Sequence, residues 1–127
     1  MSSILVSADL RVGLGYPDVP ERGRELREAR IDTVRELINV ANHRRVDAVV
    51  LAGNTLADNR IDQHDLLDLV DALRLSEAPV LILPGATDPF TPDSPYRARS
   101  ELFEAPIRVM GDSHPVRLSD LTIAPYP

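Results

Sequence analysis

The chain contains no cysteine, which excludes disulfides, zinc–thiolate sites and iron–sulfur clusters. It has no run of about 18 apolar residues, the length that a membrane-spanning helix requires, so we expect no membrane partner. Residues Met1 to Ile4 lack the charged leader and long apolar stretch of a secretory signal. These absences together lead us to expect a cytoplasmic protein.

Lysine is absent too, so arginine accounts for all 14 basic residues, against 20 aspartates and glutamates. The net charge of −6 argues against broad electrostatic adhesion to DNA or to anionic membranes. Four closely spaced arginines could still line a local basic groove, although a solvated helix face is the more ordinary interpretation. They are Arg22, Arg24, Arg27 and Arg30.

The 127 residues are 43% apolar and 27% charged, which is typical of one globular domain with a real core, and we treat 1–127 as a single domain. Three apolar runs predict buried strands, Ile4–Ser7, Ala48–Ala52 and Val80–Leu83. Apolar residues spaced by three or four predict a helix over residues 21–42. They are Leu26, Ala29, Val34, Leu37, Ile38 and Ala41.

A second helix is predicted to begin at Asp62, a good N-cap. The resulting β-α-β-α-β order predicts an α/β fold with parallel strands joined by right-handed crossovers. Further along, residues 96–103 suggest a short helix. Segments 107–110, 114–118 and 121–124 alternate in polarity, which is typical of short strands that pair antiparallel or extend the sheet edge.

Polar stretches follow each predicted strand, at the edge of an open α/β sheet where ligands and metals bind. They read Asp9-Leu10-Arg11, Gly53-Asn54 and Gly85-Ala86-Thr87-Asp88. This ordered set resembles the motifs of calcineurin-like metallophosphoesterases, most closely the SbcD-type DNA-repair exonuclease branch. There the three motifs read Asp-x-His, Gly-Asp and Gly-Asn-His-Asp. The resemblance covers nearly all of the chain but only the first half of a family catalytic domain, and it implies a partial metallophosphoesterase-like sandwich.

In that family, two metal ions activate water to attack a phosphate ester. The resemblance places Asp9 at the first ligand position and Asn54 where the bridging aspartate belongs. Arg11 replaces an imidazole with a permanent cation, which cannot ligate a metal. Ala86 has no donor atom where the family has asparagine, and Thr87 cannot protonate a leaving group as the family histidine does.

We therefore expect a vestigial site with no cofactor and no metallophosphoesterase activity, Asp9 and Asn54 being its remaining metal positions. If the site is active after all, its cofactor would be manganese or magnesium. The family role of Asp88 is to orient its loop. Gly53 and Gly85 are explained by tight turns after the strands.

The remaining candidate ligands are given structural interpretations. We expect His43, His64 and His114 at the surface and Asp58 in a solvated loop. Four aspartates, each three residues after the last, are interpreted as the solvent-exposed face of the second helix. They are Asp62, Asp65, Asp68 and Asp71.

Two uses of Arg11 follow from its position. Our preferred hypothesis is an ion pair with Asp9 that fills the place of a metal. In the other, Arg11 grips a phosphate with the help of backbone N–H groups around Gly53 and Gly85, which would make the chain a phosphate or nucleic-acid binder without hydrolysis.

The leading functional hypothesis is a degenerate phosphoesterase domain that acts as a structural or interaction module in a DNA-repair nuclease context. The resemblance implies as partner an ATPase that accompanies repair nucleases, or a second copy of the chain. The competing hypothesis is an active hydrolase with an altered site. A third hypothesis is a Rossmann-like nucleotide binder. Its only support is the β-α-β order, since the Gly-x-Gly-x-x-Gly motif of such binders does not follow the first strand.

A family domain packs this half against another sheet. We therefore expect one apolar face of the sheet to lack its cover, which would favour self-association.

Overall fold

A four-stranded parallel sheet forms the centre of the computed structural model, which describes residues 1–112, 114–118 and 120–125. Every pair of neighbouring strands is parallel. The strand order is β1 (Ile4–Ser7), β2 (Ala48–Ala52), β3 (Val80–Leu83) and β4 (Ile107–Val109). The three strands predicted from apolar runs are confirmed with their bounds, as is their parallel pairing.

Two helices connect the first three strands: α1 (Gly23–Arg44) and α2 (Gln63–Leu73). A short 3-10 turn at Pro20–Arg22 precedes α1, so the α-helix begins later than predicted and ends two residues beyond Asn42. Asp62 is the N-cap of α2, as predicted, because its carboxylate accepts the backbone N–H of His64 at 3.0 Å.

Both helices pack on one face of the sheet, where the main core lies. Ile31 belongs to this core and was missed by the helix pattern, whereas Ala29 is exposed. Alternate strand residues point towards the helices because side chains in a strand alternate between the two faces. The strand residues of this core are Val49, Leu51, Val80, Ile82 and Ile107.

The opposite face is covered in part by a two-stranded antiparallel sheet, β5 (Val116–Leu118) and β6 (Leu121–Ile123). Val116 packs with Leu81 in a second, smaller core. Ile4 and Val6 on the edge strand β1 point to this face and remain 43% and 56% exposed. The expectation of an incompletely covered apolar face therefore agrees with the structure.

The last third of the chain uses both arrangements that its alternating pattern allowed. The segment predicted at 107–110 extends the sheet as the parallel strand β4, while 114–118 and 121–124 contain the antiparallel pair β5 and β6. The short helix predicted near 96–103 is α3 (Pro95–Ala98), followed by a 3-10 turn at Ser100–Leu102. In the described part of the chain, no helix combines the length and apolar composition that a bilayer crossing requires.

Candidate functional site

The loops that follow β1, β2 and β3 meet at the carboxyl edge of the sheet. The first two run side by side: the backbone N–H of Asp9 donates to the Gly53 carbonyl, and that of Arg11 to the Asn54 carbonyl, both at 3.0 Å. The third loop joins them through Thr87, whose N–H donates to Asn54 Oδ1 at 3.0 Å. The structure thus brings together the three stretches that the sequence singles out.

The backbone of this loop cluster is strained. Asp9, Arg11 and Asn54 have φ angles of 57°, 49° and 56°, in the left-handed region that non-glycine residues seldom occupy. Such a conformation costs on the order of 1 kcal/mol or more per residue and persists only where surrounding contacts hold it. Gly53 also has a positive φ, 98°, but adopts it without strain because glycine has no Cβ. Strong contacts must therefore fix these loops.

Asp88 supplies the central contact. Its side chain is buried at 0% exposure, and its carboxylate accepts hydrogen bonds from four backbone N–H groups and one hydroxyl. The donors are Gly85 N at 2.8 Å, Thr55 N at 3.0 Å, Asn54 N at 3.1 Å, Leu56 N at 3.2 Å and Tyr96 Oη at 2.6 Å. Both carboxylate oxygens bind protein donors, so Asp88 organises the loops after β2 and β3 instead of offering a ligand.

Tyr96 is the residue of this cluster that the sequence reasoning missed. It is the second residue of α3, where the Ser94 hydroxyl accepts its backbone N–H at 3.1 Å, and its ring packs edge-on against Phe103. Burial, followed by the negative charge of Asp88, raises the pKa of the Tyr96 hydroxyl. The Ser94-Pro95 pair, a common helix start, is the signal that could have placed Tyr96 on a short helix.

Asp9, Asn54 and Thr87 form a chain of side-chain hydrogen bonds across the three loops. Asn54 Nδ2 donates to Asp9 Oδ1 at 2.7 Å. Asn54 Oδ1 lies 3.1 Å from Thr87 Oγ1, which also lies 2.7 Å from the Leu56 carbonyl. Each polar group of Asn54 therefore has a partner within the protein.

The donor set does not fit a pair of divalent ions. Asn54 turns its amide nitrogen, which cannot coordinate a metal, towards Asp9, and its oxygen already accepts from Thr87. Ala86, exposed on the third loop, offers no donor. Magnesium and manganese require several oxygen ligands, preferably carboxylates. Within residues 1–112, 114–118 and 120–125, no three histidine, cysteine, aspartate or glutamate side chains converge on one point.

The preferred hypothesis for Arg11 is wrong. Arg11 and Asp9 form no ion pair, and Asp9 Oδ1 instead accepts a hydrogen bond from Asn54 Nδ2 at 2.7 Å. Arg11 is half-buried, and its guanidinium forms neither an ion pair nor a hydrogen bond with any residue that the structure describes. Its charge is therefore not paired within the described part of the chain.

The three histidines lie away from the loop cluster, at the surface, as expected. His43 is exposed in the last turn of α1, and His64 Nε2 lies 3.4 Å from Asp68 on α2. His114 Nδ1 lies 2.9 Å from the Asp112 carboxylate, and this hydrogen bond lowers the pKa of Asp112.

The acidic series on α2 departs in part from its predicted solvent-exposed face. Asp62 and Asp71 are exposed, but the Asp65 side chain is only 13% exposed and lies 3.9 Å from Arg27 Nε. Burial raises the pKa of Asp65, while Arg27 opposes this shift. Asp65 and Asp68 line a cavity of about 870 Å³ at the amino-terminal turns of α1 and α2, as does Asp58, an exposed loop residue.

The four arginines near the start of α1 do not form a free basic groove. Three of them face a carboxylate: Arg22 lies 3.5 Å from Glu25, Arg24 3.1 Å from Glu28 and Arg27 3.9 Å from Asp65. The fourth, Arg30, donates to the Leu10 carbonyl at 2.8 Å and to the Tyr16 hydroxyl. Three of the four arginines therefore have a carboxylate partner, and the fourth is held by two neutral acceptors.

Neither a scan of protein-family models nor a search of curated proteins finds a match to this chain.

Proposed function

We propose that this chain is a calcineurin-like metallophosphoesterase domain that has lost two-metal phosphodiester hydrolysis and serves as a structural or interaction module. The observation that carries the proposal is the 2.7 Å hydrogen bond from Asn54 Nδ2 to Asp9 Oδ1. In the family, a bridging aspartate at the position of Asn54 would stand between two cations. Here a neutral amide fastens the same two loops directly.

The electrostatics of the loop cluster support the loss of metal. Two dications a few ångströms apart repel each other, and only negative bridging ligands hold them together. Asn54 provides no charge, and Arg11, two residues after Asp9, carries a positive charge that no described residue pairs. The hydrogen-bonded chain from Asp9 through Asn54 to Thr87 performs the fastening that metal ions would otherwise provide.

The sheet arrangement supports a role in association. Helices cover one face, and the β5–β6 pair covers only part of the other, leaving Ile4 and Val6 exposed. One half of a two-sheet sandwich would look this way. Within the proposal, the partner is an ATPase of a DNA-repair nuclease complex or a second copy of the chain.

Two measurements on the full chain test the proposal. Calorimetric titration with Mn²⁺ should give no binding heat at the loop cluster, and a chromogenic phosphodiester should not be turned over. The matched variants are Asp9→Ala, at the remaining ligand position, and Asp58→Ala, in the exposed loop. Manganese-dependent turnover that is lost in Asp9→Ala but kept in Asp58→Ala would establish an altered-site hydrolase and overturn the proposal.

The unpaired state of Arg11 favours a second candidate function, phosphate binding without hydrolysis. The guanidinium of a half-buried arginine that pairs with no described residue is suited to a charge-assisted hydrogen bond with a phosphate oxygen. Titration with inorganic phosphate and with a short single-stranded DNA tests it. Binding that Arg11→Gln abolishes and the exposed-site control Arg44→Gln preserves would support this function, and equal binding by both variants would exclude it.

A further inference from the structure

The edge of the sheet at β1 has the features of a pairing surface. β1 is the first strand in the sheet order, so its outer side has no strand neighbour among the described residues. Proteins usually protect such an edge with charged residues, proline or a bulge. Ile4–Ser7 contains no proline, and residues 1–8 contain no charged side chain. The backbone edge of β1 is therefore open to another strand.

Apolar surface lies on both sides of this open edge. On the hairpin face of the sheet, Ile4 and Val6 are 43% and 56% exposed. On the helix face, a groove of about 340 Å³ runs between the end of β1 and α1. Leu10, Leu37 and Val40 form its apolar walls, and Ser7, Thr33 and Glu36 line the rest. An added strand would thus find apolar contacts for the side chains of both its faces.

We infer that the partner of this edge is β1 of a second copy, paired antiparallel across a two-fold axis. In such a pair, centred on Leu5, Ile4 lies opposite Val6 of the partner subunit. The symmetry repeats the same contact, so the four exposed side chains form one continuous apolar row on a sheet of eight strands. On the other face, Leu5 of the partner subunit points towards the groove of this chain.

Charge favours a second copy at this surface over association elsewhere. The chain carries a net charge of −6, so two copies repel each other over most of their surfaces. Residues 1–8 have no charged side chain, and pairing there brings no two carboxylates of these segments together. An isologous contact also requires only that the surface complement itself, which an antiparallel pair of identical strands does.

This inference deepens the proposed function, since it names the partner of the interaction module. Its test is the mass of the full-length chain in solution, measured by sedimentation velocity over a concentration series. We expect a dimer whose dissociation constant is on the order of micromolar, because a single strand edge buries a small interface. A wild-type chain that stays monomeric throughout the series would overturn the inference.

Two arginine substitutions locate the surface. Val6→Arg places a charge in the apolar row and should weaken dimerisation at least about tenfold. Leu75→Arg changes a similarly exposed apolar residue (62% exposed) after α2 and should leave dimerisation unchanged. Dimerisation that Val6→Arg leaves intact, or that both variants lose equally, would overturn the inference.

Hydrogen exchange gives a measurement that needs no variant. In the wild-type chain, exchange of the β1 amides should slow with rising protein concentration, whereas that of the β6 amides should not. If the β1 amides exchange at a rate independent of concentration, the edge is not the interface. The inference fails on mass and exchange, whereas the proposed loss of hydrolysis fails on turnover, so the two outcomes are distinguishable.

Discussion

The Tyr96 hydroxyl donates a 2.6 Å hydrogen bond to Asp88 Oδ2 in the buried interior below the loop cluster. This bond ties α3 to the carboxylate that holds the loops after β2 and β3. The position of α3 and the shape of the candidate site are therefore coupled through these two residues. A change at Tyr96 reaches the site although Tyr96 itself does not line it.

Tyr96→Phe should lower the free energy of unfolding by about 1–3 kcal/mol, because it removes one donor from a buried carboxylate. Urea denaturation at neutral pH measures this loss. The matched control is Tyr16→Phe, which removes a hydroxyl that accepts from Arg30 in a partly exposed position and should cost less than about 1 kcal/mol. Equal losses in the two variants would show that the Asp88 contact has no special role.

The raised pKa of Tyr96 predicts how stability changes at alkaline pH. The folded state keeps the Tyr96 proton above pH ~10, where an unfolded tyrosine loses it, so the free energy of unfolding falls as pH rises past this value. The chain has no lysine, so few other side chains titrate in this range. In Tyr96→Phe, the free energy of unfolding should decline less steeply over about pH 9–11, the range in which tyrosine titrates. Plots of unfolding free energy against pH, measured by urea denaturation, should therefore converge for the wild-type chain and the variant. Plots that remain parallel would contradict this.

The core of the fold could be predicted because its signals are local. The apolar run of Val80–Leu83 marks a parallel strand covered on both faces, and Asp62 marks the start of a helix through its own side chain. The helix pattern took Ala29 instead of Ile31, although Ile31 lies three residues before Val34 and seven before Ile38 on the same helical face. The packing of α1 on the sheet shows that Ile31 is buried and Ala29 exposed.

The contacts of the candidate site could not be predicted, because they depend on relations between distant segments. Tyr96 meets Asp88 only because the intervening loop folds back to begin α3. The charges of Asp9 and Arg11 suggested an ion pair, which the two residues do not form. The amide of Asn54, which follows another strand, takes the place beside Asp9 instead.

Gly85→Ala should destabilise the chain by roughly 2 kcal/mol or more. A Cβ at this position would lie 2.6 Å from Asn54 Oδ1, 2.7 Å from Asn54 N and 3.1 Å from Gly53 Cα, and the last two are backbone atoms that cannot move aside. Glycine is thus needed here for close approach to another loop. The control is Gly15→Ala, whose Cβ would meet nothing within 4 Å and whose effect should stay within about 0.5 kcal/mol. Thermal unfolding of both variants checks this, and a well-tolerated Gly85→Ala would contradict it.

Asp65→Asn should raise the free energy of unfolding at pH 7 by less than about 1 kcal/mol, since it removes a charge that burial disfavours. Because the pKa of Asp65 is raised on folding, the wild-type chain is relatively more stable below the ordinary carboxyl pKa and loses this advantage as pH rises. The gain from the substitution should therefore disappear near pH 4 and below (about the aspartate pKa). Asp71→Asn, at an exposed position on the same helix, should change little at any pH. A destabilised Asp65→Asn would show that the contact with Arg27 outweighs burial.

Asn54→Asp restores a carboxylate at the position of the family's bridging ligand. It tests whether a negative charge at this position is enough to create a cation site. Aspartate tolerates the left-handed backbone, so the loop should keep its shape. The change removes the donor to Asp9 Oδ1 and sets two carboxylates against each other. In the presence of a chelator, the variant should lose about 1–3 kcal/mol of unfolding free energy at neutral pH.

Added Mn²⁺ should then recover part of this loss, because a cation between two carboxylates binds the folded state only. Thermal unfolding with and without Mn²⁺ measures the recovery. The wild-type chain should show no such shift, nor should Asn39→Asp, which adds the same charge at an exposed position on α1. Equal stabilisation of the wild-type chain by Mn²⁺ would mean that Asp9 and Asn54 already bind a cation. The hydrogen bond between these two residues would then not have replaced a metal ion.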